Sequence, residues 1–566
     1  MMSNRTCIVR VLALAWASST GGVLLAQATT RVSVDSQGGE GNDLSEAPAV
    51  SADGRFVAFA SVASDLVPGD TNGWEDVFVH DRQTGATTRV SVDTQGGQGN
   101  NPSFNPAVSA DGRFVAFASV ASNLVPGDTN DSCDVFVHDR QTGVTTRVSV
   151  DSQGGQSGGA LLDAPAVSAD GRLVAFTSGA SDLVPGDTNQ KRDVFVHDRQ
   201  TGETTRVSVD SQGGQGYDDS RFASISADGR LVAFSSGADN FVPGDTNYEW
   251  DVFVQDRETG ETTRMSVDSQ GGQANANSAP GAISADGRFV TFWSYASNLV
   301  PGDTNGLGDV FVHDRETGET TRVNVDSQGR QTSGAYWGTP AISADGRFVA
   351  FAADAGELVP GDTNEVPDVF VRDRQMGETT RASVDSRGGQ GNDRSWKPAI
   401  SADGELVAFS SDASNLVRND SNERSDIFVH DRAPGPCSLP ASWTNYGSGW
   451  PGTNGVPGLV ARSNPVLCAP LEVFADNSSG VATTVVFLAG DHSVHRWTPW
   501  GGTVLVLPAL AVSLQAPADG LSITSTIPCD GALCGMSVFA QVLELDPGAS
   551  RGISFTPGLE LRLGGP

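Results

Sequence analysis

The sequence predicts an all-β chain: a seven-bladed β-propeller with circularly permuted ring closure, followed by a small β-sandwich-like domain. The word SADG begins at Ser51, Ser109, Ser168, Ser226, Ser284, Ser343 and Ser401, always 58 or 59 residues apart. So regular a period marks a repeat architecture. Each period repeats PA[VI]SADG, RFVAFAS, LVPGDTN, DVFVHDR and TTRVSVD or near copies of them. That supplies four strand candidates per repeat, and seven such units closing on themselves make a propeller. TTRVSVD or a near copy starts at Thr29, Thr87, Thr145, Thr204, Thr262, Thr320 and Thr379; the first copy precedes every SADG, and none follows the last DIFVHDR at Asp426 to Arg432. Residues 29–35 are therefore expected to form the outer strand of the blade begun at Ser401, hiding sheet edges that an open array would expose.

In chain order, residues 1–28 read as a secretory signal peptide. Arg5 and Arg10 precede an apolar stretch over residues 11–26, and Ala26-Gln27-Ala28 has the small residues of a cleavage site. Ser18-Ser19-Thr20-Gly21-Gly22 interrupts that stretch, which is too short to span a bilayer well. The chain is thus expected to be exported, extracellular or periplasmic, without a membrane span.

Residues 29–432 form the propeller. In its first blade, residues 48–52 and 55–61 flank Asp53-Gly54, a two-residue link that favours a type I′ turn. Residues 76–81 and 87–93 flank a second turn, Arg82-Gln83-Thr84-Gly85. The first strand is short and rich in Ala and Ser, which suits the crowded centre of a ring. The second, Phe56-Val57-Ala58-Phe59, is apolar on both faces, as a strand sandwiched between blades must be. SADGR-hydrophobic-VAF followed by DVFV-x-DR-x-TG resembles the TolB-like propeller repeat, a relative of the WD repeat found in bacterial envelope proteins and in propeller-bearing peptidases. The resemblance covers residues 29–432 and implies fold, since propellers host binding modules, scaffolds and enzymes alike.

Ala433-Pro434-Gly435-Pro436 ends the repeats, and residues 433–566 read as a β-sandwich-like accessory domain with strand-like runs at 483–488, 503–507, 510–514 and 538–545. Its segments ASWTNYGSGWPGTNG and GISFTPGLELRLG resemble C-terminal modules of secreted bacterial proteins, which implies an accessory or surface-associated role. Four of the six cysteines, Cys437, Cys468, Cys529 and Cys534, lie there. An even number in an exported domain suggests two disulfides. Cys529 and Cys534 bracket a short loop and can pair, leaving Cys437 with Cys468.

Asp plus Glu number 68 against 36 Lys plus Arg, a net charge of −32. Such a surface repels phosphate backbones and excludes nucleic acid as a partner, while inviting divalent cations. Seven loops carry D-[TS]-N-x-x-x-D: Asp70/Asn72/Asp76, Asp128/Asn130/Asp134, Asp187/Asn189/Asp193, Asp245/Asn247/Asp251, Asp303/Asn305/Asp309, Asp362/Asn364/Asp368 and Asp420/Asn422/Asp426. Oxygen ligands at that spacing suit calcium. The competing reading is a set of Asx-turns that shape the loops without metal.

No catalytic residue is assigned. The chain has no GxSxG elbow, no HExxH and no phosphate-cradling glycine loop. His80, His138, His197, His313 and His430 occupy one repeat position, which reads as scaffold. The hairpin turns barely vary, whereas the inter-blade loops and those between second and third strands do. These variable loops carry Trp74, Phe104, Tyr217, Phe222, Tyr248, Trp250, Tyr336, Trp337 and Trp396 among polar groups. Aromatics scattered so suit recognition of a protein or glycan. The leading expectation is a monomeric, exported, non-catalytic scaffold binding a protein or polysaccharide partner through that face. The alternative is a polysaccharide lyase or hydrolase with its site at the channel mouth, drawing on Asp43, Glu46, Asp163, Asp218, Asp219 or Asp393.

Overall fold

The computed structural model describes residues 28–432 except 159–162 and 336–337, and residues 442–562 except 447, 452, 464–469, 480, 491, 498–502, 508–509, 517, 519–520, 527–536 and 551–552. Residues 1–27 of the signal segment, Tyr336, Trp337 and the four cysteines proposed to pair lie outside the described residues. The chain divides into two compact units, one of them Ala28–Arg432 and the other holding the described residues beyond it.

Alternating β-branched and aromatic residues make the middle strands. The first blade is Ser45–Val50, Phe56–Ser61, Asp76–Asp81 and Ala86–Arg89, paired antiparallel in that order. The propeller unit contains seven such four-stranded sheets. The fourth blade is Ser220–Ile225, Leu231–Ser236, Asp251–Asp256 and Thr262–Arg264, and the fifth is Ser278–Ile283, Phe289–Ser294, Asp309–Asp314 and Thr320–Arg322. First strands of neighbouring blades pack on one another, so they line the axis. Between the first and second blades Ala58, Val77 and Val79 meet Val115, Phe117 and Phe136 in one apolar core. The same interface closes the ring, with Leu406, Ala408, Ile427 and Val429 against Val57, Phe59 and Phe78.

Closure is visible in the backbone. The Ala52 N–H donates to the Ala110 carbonyl, and the relay continues through Ala169, Ala227, Ala285, Ala344 and Ala402, whose N–H returns to Ala52, each bond 2.9–3.2 Å. The last blade is completed by Ala28–Arg31, which pairs with Asp426–Asp431 from Ala28↔Asp431 to Arg31↔Phe428.

Three local expectations are corrected. The Asp53-Gly54 link is not a two-residue type I′ turn: Ser51 pairs with Phe56, the Gly54 N–H bonds to the Ser51 carbonyl, and only Gly54 is left-handed, at φ 69°. That is a type I turn followed by a bulge glycine, held because the Asp53 carboxylate accepts from the Ser51 hydroxyl and the Arg55 N–H. The first strand starts at Ser45, earlier than expected, because a bulge after Glu46 lets pairing resume at Ala49. The fourth strand stops at Arg89 because the Ser91 hydroxyl takes the Val77 N–H at 3.1 Å in place of a ladder carbonyl.

In the other unit, a sheet runs Ser442–Tyr446, Gly558–Arg562, Ser537–Leu545, Thr483–Gly490, Leu510–Ala516, with Ile553–Phe555 also on Ser537–Leu545. A three-stranded sheet of Leu459–Ala461, Pro470–Ala475 and Leu521–Thr526 shares its core: Leu459, Ala461 and Val473 pack with Val485, Ala540, Val542 and Leu559. Two sheets around one apolar layer make the sandwich.

Candidate functional site on the variable face

The register gives each blade two ends. Ser45 pairs with Ser61 and Ser61 with Asp76 at one end; Val50 pairs with Val57 and Phe56 with Asp81 at the other. All variable loops leave from the first end, and both hairpin turns from the second.

The hairpin face is committed to the scaffold. Arg55 grips Asp81 through two bonds of 2.8 Å, and its guanidinium lies 4.6 Å from the Phe56 ring. Arg140 of the next blade covers the same ring at 4.3 Å. Gly112 must be glycine there: its φ is 71°, and an added Cβ would lie 2.0 Å from the Phe56 ring. The arginine–aspartate grip recurs around the ring with Arg113, Arg172, Arg230, Arg288 and Arg347. The repeated histidines are scaffold too. The Thr87 hydroxyl donates to the Val34 carbonyl at 2.5 Å, so the His80 Nδ1–H must donate to Thr87, at 2.9 Å. Burial holds these imidazoles below their ordinary pKa, His430 at about 4.

On the variable face, each DxNxxxD loop already contains a cation. Arg89 Nη1 lies 3.2 Å from Asp70 and 3.3 Å from Asp76. Arg147 stands likewise between Asp128 and Asp134, Arg206 between Asp187 and Asp193, and Arg264 between Asp245 and Asp251. Arg322 stands between Asp303 and Asp309, Arg381 between Asp362 and Asp368, and Arg31 between Asp420 and Asp426. These twelve distances run from 3.1 to 3.6 Å.

The asparagines are spoken for as well. The Asn72 amide donates to Asp76 and to the Gly99 carbonyl, and so presents nitrogen rather than oxygen to the carboxylate. Asn130, Asn189, Asn247, Asn364 and Asn422 donate in the same way to Asp134, Asp193, Asp251, Asp368 and Asp426, at 3.0–3.4 Å. Asn305 gives its amide to the Thr332 carbonyl at 3.0 Å. In all seven loops the asparagine oxygen accepts the backbone N–H two residues on, at 2.8–3.3 Å, which is an Asx-turn. Asp76, fully buried, also accepts from Ser91 at 2.5 Å, as Asp134 does from Ser149. At each of the seven loops the guanidinium takes the central place between the carboxylates and the asparagine oxygen faces its own backbone. One loop adds a third acid: Glu40, Asp420 and Asp426 converge within 4.8 Å, with Arg31 again among them.

Nearer the axis the backbone is strained. The first strands bulge at Glu46/Ala49, Phe104/Ala107, Arg221/Ser224, Pro280/Ile283 and Trp396/Ala399. Ala47, Asn105, Phe222 and Lys397 take φ of 49–57° at these bulges. A left-handed residue other than glycine costs about 1–2 kcal/mol, and bulges re-aim side chains at functional sites. Here they set Glu46, Phe104, Arg221 and Trp396 at the inner rim.

Charges on this rim pair across blades. Lys397 meets Glu46 at 2.8 Å, Lys191 meets Asp218 at 2.8 Å, Arg424 meets Asp43 at 3.4 Å and Arg192 meets Asp219 at 3.5 Å. The chain's two lysines are both among these. Asp393 accepts the Arg394 N–H, and burial raises the pKa of Asp163. Glu75, which carries no motif in the sequence, is pushed up to about 7 by burial and by Glu46 beside it, with Lys397 opposing. Of the expected binding aromatics, Tyr248, Tyr217 and Trp74 are exposed (85%, 71% and 46%). Phe104, Phe222, Trp250 and Trp396 are half-buried, and Arg394 lies 4.9 Å from the Trp396 ring. The structure adds Trp293, Tyr295 and Leu307. Their signal was a Trp in FVTFWS where other repeats carry Ala, Thr or Ser.

Four-stranded sheets, a closed relay of inter-blade bonds and the SADG–DVFV repeat decide the kind of molecule. The chain is a β-propeller repeat protein. No family model and no curated protein matches it. Solved structures similar to it include a protein described as a TolB of Agrobacterium tumefaciens, 16% identical over 50% of this chain and 80% of that one, TM-score 0.31. A prolyl endopeptidase is 12% identical over 77% of this chain and 54% of its own, TM-score 0.42. The WD40 repeats of RRP9 are 10% identical over 72% and 99%, TM-score 0.37. The propeller chain thus spans about half the length of the endopeptidase.

Proposed function

We propose that the propeller is an exported binding scaffold that recognises a protein or glycan partner through its variable face. The observation that carries this is the contrast between the two ends of every blade. Hairpin-end side chains are consumed by repeated ion pairs and ring contacts, whereas variable-end side chains differ from blade to blade on bulged, strained strands. Recognition surfaces are built this way, with diverse loops on a rigid frame. No helix among the described residues is long and apolar enough to cross a membrane.

The test is binding by the full chain to a glycan array and to an array of envelope and secreted proteins. Replacing Trp74, Tyr217 and Trp396 together by Ala is expected to weaken the signal about tenfold or more, since aromatic anchors dominate interface energy. Replacing the exposed hairpin-face residues Val144 and Met376 by Ala is expected to leave it unchanged. Loss with the second pair and survival with the first set would place recognition on the wrong face.

Glu75 favours a second reading, a polysaccharide-active enzyme. A half-buried carboxyl poised near neutrality beside the Lys397-paired Glu46 supplies the acid and the carboxylate that glycosidic cleavage uses. Under it, Glu75→Gln abolishes turnover while affinity remains.

For the DxNxxxD loops, we infer that the arginine is the resident cation in place of calcium, which makes them architectural.

A further inference from the structure

We propose that the partner engaged through the variable face is a neutral polysaccharide, held on aromatic side chains exposed on neighbouring loops of the fourth and fifth blades. This rests on the binding reading above and adds the place and the ligand class.

The rings stand on neighbouring loops. Tyr217 is 71% exposed. On the adjoining loop Gly237 leaves the way clear: a Cβ there would lie 3.3 Å from the Asp218 carboxylate and 3.6 Å from the Trp250 ring. The Trp250 backbone N–H donates to the Asn277 side-chain oxygen at 2.8 Å, and the Tyr295 backbone N–H to the Asn277 carbonyl at 3.1 Å, which ties the two loops together. Tyr295, 55% exposed, stands edge-on to Trp293 with centroids 4.3 Å apart. Trp293 is buried as a pedestal, and Gly308 makes room for it, since a Cβ there would lie 2.1 Å from the indole. Tyr248, at φ 57° and 85% exposed, projects from the loop before Trp250. Among the described residues of the rest of the propeller, the exposed large hydrophobics beyond Leu307 are Trp74, Val144 and Met376, each on a different blade.

The chemistry points to a neutral sugar polymer. Ring faces pack against the C–H faces of pyranoses, and a tyrosine offers a hydroxyl as well as a ring. Asn277 has its oxygen engaged, which leaves its amide N–H groups as neutral donors next to the rings. The nearest lysine, Lys191, is already neutralised by Asp218 at 2.8 Å. A net charge of −32 opposes a polyanion. Rings spread over two blades suit an extended chain rather than a single sugar.

The experiment is affinity electrophoresis of the full chain in gels containing soluble β-glucan, galactomannan or arabinoxylan, with polygalacturonate and chitosan as charged counterparts. At least one neutral polymer is expected to retard the protein. Tyr248→Ala with Tyr295→Ala is expected to weaken that retardation about tenfold or more, while Met376→Ala on the hairpin face leaves it unchanged and all variants keep the parental melting temperature. Retardation by charged polymers alone overturns the ligand class. Retardation untouched by the double substitution overturns the place. No retardation by any polymer overturns the proposal, while the protein array still judges the variable-face reading on its own.

Discussion

Deleting residues 29–35 is expected to cost more than about 5 kcal/mol of stability and to turn a soluble ring into an aggregating one. Asp426 is fully buried and takes a hydrogen bond from the Ser33 hydroxyl at 2.5 Å and from Arg31 at 3.2 Å. Removing both partners strands a charge, worth about 3–5 kcal/mol, and loss of buried Val32 adds about 1.5–3 kcal/mol. The strand Asp426–Asp431 becomes an open edge, a template for pairing with other chains. Thermal melting and sedimentation of the truncated protein check this, and a peptide of residues 28–41 added in trans should restore the melt. A truncated chain that melts like the parent would contradict the closed ring.

Arg89→Ala should be the most damaging single substitution of a charged residue in its blade. Asp70 and Asp76 keep only 4% and 0% of their side-chain surface exposed, and Arg89 10%. Breaking a buried pair by removing one partner costs about 3–5 kcal/mol. Arg55→Ala removes a solvent-screened pair whose arginine is 38% exposed, and should cost far less than the loss of Arg89. Denaturant titration of both variants separates them, and equal losses would refute the internal-cation account. The same account expects calcium to leave the melting temperature of the unaltered chain unchanged. A rise with calcium, reversed by chelator, would mean that the guanidinium is displaced by metal.

The ring was legible in the sequence because repetition multiplies weak strand signals: Phe59 and Phe78 stack at 5.9 Å, and near copies of that pair recur at every period. The wrapped closure was legible too, since TTRVSVD appears ahead of its blade. Turn type was not, because Asp-Gly serves both a type I′ turn and the bulged turn, and the Asp53 side chain decides between them. The loop cation was hidden for a related reason. DxNxxxD names the carboxylates, but Arg89 lies on a different strand and reaches them only in the folded blade. The same motif leaves the orientation of Asn72 and Asn130 open, and their amide nitrogens turn to Asp76 and Asp134 only once the oxygens are held by the backbone. Glu75 was illegible because a lone glutamate in a variable loop says nothing of burial, and its environment comes from Glu46 and, through the closed ring, from Lys397 of the last blade. The aromatic side chains of the fourth and fifth blades were legible only in part. Tyr217, Tyr248 and Trp250 stand in loops, whereas Trp293 sits inside a strand and passes for core until Gly308 and Tyr295 are placed against it.

The most direct measurement is the hydrogen–deuterium exchange footprint of whichever ligand the arrays yield. The account predicts protection confined to the variable end, in residues 216–222, 247–250, 275–279 and 293–297, with exchange at the hairpin turns 52–55 and 82–85 and their copies unchanged. Protection at those turns, with the variable loops exchanging as in the free protein, would contradict it.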